Sequence, residues 1–155
     1  MALRLLVVYH SRSGSTERIV DQVVAGAAVA GEGVEVVRRG AFDAGPDDVL
    51  DAAAVILATP ANFGYMSGAL KDFLERVYHP LLDRTSGLPY ALAVKGDTDV
   101  GGAVHSVERI LTGLRWRRVL PPLTVAGELT PEHLAEAHEL GAAMAAGMEA
   151  GIFTR

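Results

Sequence analysis

Two periods of apolar and polar positions alternate along this chain. Five short runs rich in Val, Ile, Leu and Ala, at 3–9, 34–38, 53–59, 90–95 and 119–126, are bounded by turn-forming residues and predict strands. Between them the spacing changes to that of helices. Ile19, Val23 and Ala27 share one stripe, and Leu70, Phe73, Leu74 and Val77 fall at i, i+3, i+4, i+7 on a helix that Pro80 should end. Val104, Val107, Leu111 and Leu114 mark a third helix. Leu134, Ala137, Gly141, Met144, Ala145 and Met148 mark a fourth, opened by Thr130 as N-cap and Pro131 at the first helical position. A short helical turn is expected over 46–51.

Strands separated by helices indicate βαβ units and a parallel sheet covered on both faces. The expected architecture is α/β: a three-layer, doubly wound, five-stranded parallel sheet in the order 2-1-3-4-5, as a single domain over 1–155. Pro121 and Pro122 cannot donate to a ladder, so the fifth strand should lie at an edge or carry a bulge.

Half of the 155 residues are apolar, enough for a core of its own. The absence of cysteine removes disulfides, thiolate metal sites and cysteine nucleophiles together. A net charge of −5 argues against nucleic acid as a partner, since the basic run Arg115, Arg117 and Arg118 is short. No apolar stretch approaches the roughly 20 residues that span a bilayer, and no secretory pattern opens the chain, so a soluble, cytoplasmic protein is expected.

In such a sheet, ligands bind outside the carboxyl ends of the strands, where three exits carry unusual chemistry. The first, "YHSRSGST", places Ser11, Ser13, Ser15 and Thr16 around Gly14 immediately before a helix. One hydroxyl would cap the helix; four point to a phosphate held by hydroxyls and by helix N-terminal amides. Arg12 either pairs with such a phosphate or faces solvent. The second exit, "ATPANFGYMSGALKDFLER", has Pro60 to end the strand, Gly64 to turn, and Phe63 and Tyr65 to stack on a flat ligand. The third, "VKGDTDVGGA", offers Gly96, Gly101 and Gly102 for close backbone approach and Asp97, Thr98 and Asp99 as polar edges.

Other chemistries drop out. No G-x-G-x-x-G follows the first strand, and neither G-x-x-x-x-G-K-[ST] nor G-x-S-x-G occurs. A phosphate-accepting signalling domain would need acidic residues where His10 and Thr59-Pro60 stand. The five histidines read as surface or satisfied side chains, with His133 and His138 at i, i+5, a poor spacing for a shared metal. No metal site and no catalytic acid or base is assigned.

These residues resemble the flavodoxin-like superfamily. "YHSRSGST" is similar to its FMN-phosphate loop, [ST]-x-[ST]-G-x-[ST] after the first strand. "TPANFGYMSGALKDFLER" is similar to the segment bordering the flavin ring in NAD(P)H:quinone oxidoreductases of the tryptophan-repressor-binding-protein type. The resemblance implies that Ser11, Arg12, Ser13, Gly14, Ser15 and Thr16 surround the FMN phosphate. It places Pro60, Ala61, Asn62, Phe63, Gly64 and Tyr65 beside one side of the ring, and Lys95, Gly96, Asp97, Thr98, Gly101 and Gly102 at its pyrimidine edge. It further implies an FMN enzyme that takes electrons from NAD(P)H and reduces quinones, free flavin or similar acceptors, as a homo-dimer or tetramer. Two alternatives stand beside it: a flavodoxin-type carrier serving redox partner proteins, and a cofactor-free interaction domain. The third loop lacks the stacking aromatic usual in carriers, the charge is modest, and the insertion of larger quinone oxidoreductases is missing.

Overall fold

The computed structural model describes residues 2–155. Its elements run β1 (Leu3–Tyr9), α1 (Ser15–Ala30), β2 (Val34–Gly40), α2 (Pro46–Leu50), β3 (Ala54–Asn62), β4 (Tyr65–Met66), α3 (Gly68–Leu81), β5 (Pro89–Gly96), α4 (Val100–Gly113), β6 (Arg117–Arg118), β7 (Leu123–Ala126) and α5 (Pro131–Glu149). The sheet order is β2-β1-β3-β5-β6, with β7 also on β5 and the two-residue β4 folded back antiparallel on β3. With β6 and β7 taken as one interrupted strand and β4 set aside, this is the expected 2-1-3-4-5.

Each long strand feeds both faces because successive side chains alternate. Leu6, Val8, Val55 and Leu57 pack under α2, α3 and α4 with Phe73, Leu74 and Leu111. Leu5, Val7, Ile56 and Ala58 pack under α1 and α5 with Ile19, Val23, Met144 and Met148. On that second face the two helices approach through glycine. A Cβ on Gly26 would collide with the His138 carbonyl, and one on Gly141 with the Val23 carbonyl.

Three proline expectations meet the structure differently. Pro121 and Pro122 interrupt the fifth strand at the sheet edge, as expected, leaving β6 paired through Arg117 and Arg118 and β7 through 123–126. Pro80 does not end its helix, because α3 runs through it to Leu81. In the last turn the lost donor costs a single bond at a frayed end. Pro60 does not end β3 either, since it pairs with Lys95 of β5. The Ala58 carbonyl accepts from the His10 amide on the β1 side, so by alternation residue 60 also turns its polar groups that way. Pairing with β1 stops at Tyr9, so the missing donor faces no acceptor.

α5 begins as the spacing requires. Thr130 accepts from the His133 amide at 3.3 Å, and His133 Nδ1 accepts from the Thr130 amide at 3.0 Å, a reciprocal box with histidine in the place usually held by Glu or Gln. Among the described residues no helix is long and apolar enough to cross a membrane.

Candidate functional site

The carboxyl ends of β1, β3 and β5 lie side by side, so the three loops converge. Arg12, Ser13, Ser15, Thr16, Pro60, Ala61, Asn62, Lys95, Gly96 and Asp97 line one cleft of about 130 Å³ between them.

The first loop divides its hydroxyls between structure and site. Ser11 Oγ accepts from the amides of Gly14 at 3.2 Å and Glu17 at 3.1 Å, serving as the cap of α1. Gly14 adopts φ +103, a left-handed turn that swings the chain into the helix and that a side chain would strain. Ser13, Ser15 and Thr16 hydroxyls bond to no group of the described protein, nor do the amides of Arg12, Ser13, Ser15 and Thr16. Thr16 is nearly buried and lines the cleft, and its hydroxyl has no partner within the described protein. A row of unclaimed donors at the positive end of a 16-residue helix is an anion-binding arrangement.

The second loop is pinned from beneath. The Ser67 amide donates to Thr59 Oγ1 at 2.9 Å, and the Met66 amide donates to Ser106 Oγ at 3.1 Å. Ser67 then caps α3 by accepting from the Leu70 amide. Both Thr59 and Ser106 are buried, so each bond is made away from competing water. The loop tip turns with Phe63 at φ 55 and Gly64 at φ 69, which leaves Phe63 fully exposed and Tyr65 about half-exposed.

The third loop supplies Lys95, Gly96 and Asp97 to the cleft, with Lys95 Nζ 3.7 Å from Asp97 Oδ1. Asp99, in the left-handed region, caps α4 by accepting from the Gly102 amide at 3.0 Å.

The structure thus gathers ten of the eighteen expected site residues into one cleft. Ser11 and Gly14 belong to the loop's own framework. Phe63 stands out at the tip, Thr98 and Gly101 face solvent, and Gly64, Tyr65 and Gly102 border a separate groove between α3 and α4. A Cβ on Gly102 would strike the Gly64 carbonyl, so this glycine lets loop meet helix. Thr59 and Ser106 escaped sequence reading as site-forming residues. The available signal was a serine on the apolar stripe of α4, between Ala103 and Val107.

A family model described as "Flavodoxin" matches residues 7–141, which contain all three loops. The chain belongs to the flavodoxin family. Among curated flavodoxin-like relatives, an NAD(P)H dehydrogenase (quinone) from Acidithiobacillus ferrooxidans is 33% identical over 92 residues, covering 47% of this chain and 46% of the relative. A flavodoxin from Aquifex aeolicus is 32% identical over 84 residues, covering 54% of this chain and 45% of the relative. The alignments therefore span less than half the length of either relative. A flavodoxin, WrbA-like protein from Agrobacterium tumefaciens superposes with a TM-score of 0.78 at 19% identity, covering 97% of this chain and 99% of that one, a likeness of fold.

The group that flavodoxin-family membership implies is FMN, and the donor set here fits it. The unclaimed amides and hydroxyls of the first loop, with Arg12 at the rim, are the residues that would hold its phosphate dianion.

Proposed function

We propose that this protein binds FMN in the cleft between its first three strand exits and acts as an NAD(P)H-dependent oxidoreductase on quinones or free flavin. The observation that carries the flavin assignment is the set of unclaimed donors at residues 12, 13, 15 and 16, opposite Pro60, Ala61 and Asn62. When bound, FMN supplies hydride acceptance from a reduced nicotinamide and electron delivery to the acceptor.

The protein's own contribution is placement. Ser13, Ser15 and Thr16 donate to phosphate oxygens, and the helix N-terminus adds its positive end. The peptide groups at 60–62 and 95–97 border the ring, and Lys95 holds positive charge next to it. Phe63 and Tyr65 are exposed on the turn that follows 60–62, outside the cleft itself. No side chain is needed to carry a proton in this scheme. The rim mixes Arg12 and Lys95 with Asp97 rather than presenting a uniformly acidic face, which suits an anionic small-molecule donor better than a basic partner protein. A cytoplasmic setting belongs to the same proposal, because reduced nicotinamides are found there.

A carrier reading has one observation in its favour: Phe63, wholly exposed at the loop tip, is a ready contact for a redox partner protein. The two readings separate in one measurement. Protein reconstituted with FMN is mixed anaerobically with NADPH or NADH, and the visible flavin bands are followed. Bleaching within seconds, without a reductase, is the expected result. Bands that persist until a reductase is added would establish the carrier, and failure to retain FMN at all would remove both.

A further inference from the structure

A second opening lies on the far side of the Phe63–Gly64 turn. It is a groove of about 640 Å³ between α3 and α4, beginning at Gly64, Tyr65 and Gly102 and ending at Tyr78 and Ile110. This volume is within the range usual for sites that hold cofactors, about 300–1,000 Å³. From residue 102 to residue 110, α4 rises about 12 Å, which gives the groove length as well as width.

Its charge is one-sided. Lys71 on α3 and His105 and Arg109 on α4 all line it, the latter two at i, i+4 and so on one face. No carboxylate lines it. Asp99 is folded onto its own helix start, Glu108 is turned away to Tyr90 and Arg118, and Asp72 is held by Arg76. Lys71 pairs with Glu75 along its own helix, whereas Arg109 and His105 have no ionic partner among the described residues. The floor is aromatic. Tyr78 reaches from α3 to α4, where the missing side chain of Gly113 admits its hydroxyl.

We propose that this groove holds the adenosine end of the nicotinamide donor, and that Arg109, His105 and Lys71 bind its 2′-phosphate, so that the protein prefers the phosphorylated dinucleotide. The inference rests on the reading of the protein as a nicotinamide-dependent flavoprotein. The position supports it: the groove opens on the same turn that borders the flavin cleft, so one extended dinucleotide can enter both. Tyr65 or Tyr78 offers a face for the adenine, and an arginine fork matches a phosphate dianion.

The test uses 2′,5′-ADP and 5′-ADP as probes in calorimetric titrations of the full chain, with and without FMN. The expected result is a preference of roughly tenfold or more for 2′,5′-ADP, abolished in Arg109→Glu and kept in Arg39→Glu, a charge reversal far from the groove. In the same variant FMN content should be unchanged, while KM for NADPH rises and kcat holds. Equal binding of the two probes, or a preference indifferent to Arg109→Glu, would overturn the proposal. So would a groove that binds neither probe and is covered by a second copy, seen as a dimer in sedimentation that Arg109→Glu dissociates. The separate FMN titration distinguishes the failures: probe selectivity without FMN binding would defeat the flavin reading alone, and FMN binding without selectivity would defeat the groove alone.

Discussion

Asp99 packs directly against Gly64, so closely that any side chain at 64 would collide with the carboxylate. This contact ties the second strand exit to the third, and the backbone at Gly64, φ 69, is one that a side chain rarely adopts. Gly64→Ala should therefore destabilise the protein by about 1–3 kcal/mol, from left-handed strain and overpacking together. Urea denaturation checks the stability. FMN affinity should fall in the same variant, because 60–62 would move with the turn.

Hydroxyls in the first loop should separate cleanly by role. Ser13→Ala with Thr16→Val removes two donors that bond to nothing in the protein while keeping the buried methyl of residue 16, so stability should hold while FMN affinity drops roughly a hundredfold or more. Ser11→Ala should do the reverse, costing about 1 kcal/mol of stability through the lost cap. Fluorescence titration of flavin alongside thermal unfolding of both variants would decide it; equal flavin affinity in the double variant and the parent would refute the phosphate assignment.

The α1–α5 interface should tolerate no side-chain growth. Gly26→Ala and Gly141→Ala each drive a methyl into a backbone carbonyl of the facing helix, and a carbonyl cannot rotate aside as a flexible side chain would. Each should cost at least about 1–3 kcal/mol. Denaturant midpoints within experimental error of the parent would show that the helices separate freely.

Alkaline sensitivity should arise partly from Tyr90. Burial, then its hydrogen bond to Glu108 at 2.7 Å, pushes its phenol well above the ordinary tyrosine value. The folded state thus keeps the proton that the unfolded chain gives up near pH 10, so this group's contribution is whole below pH 10 and declines as pH rises further. Tyr90→Phe should show a shallower loss of stability between pH 9 and pH 11. Parallel slopes in parent and variant would remove Tyr90 from the explanation.

Much of this architecture was legible because its periods are clean. Leu5 to Val8 alternate between two cores, and Leu70, Phe73, Leu74 and Val77 form one buried stripe, as their spacing requires. The prolines were harder. Whether Pro60 breaks a strand depends on which neighbour its nitrogen faces, and that follows from register, which no local pattern contains. Glycines were ambiguous for a related reason. Gly102 reads the same whether it admits a ligand or the Gly64 carbonyl, and only the packed loops reveal the latter. The cleft was foreseeable from strand exits on one side of a parallel sheet, whereas the α3–α4 groove arises from helices distant in sequence.

The broken fifth strand has a bearing on crowding in the cell. Along that border Pro121 and Pro122 withhold amide hydrogens just where an incoming chain would need them, and the opposite border is guarded by the charged side chains of Glu35, Arg38 and Arg39 on β2. Both margins therefore disfavour pairing with a strand of a neighbouring molecule.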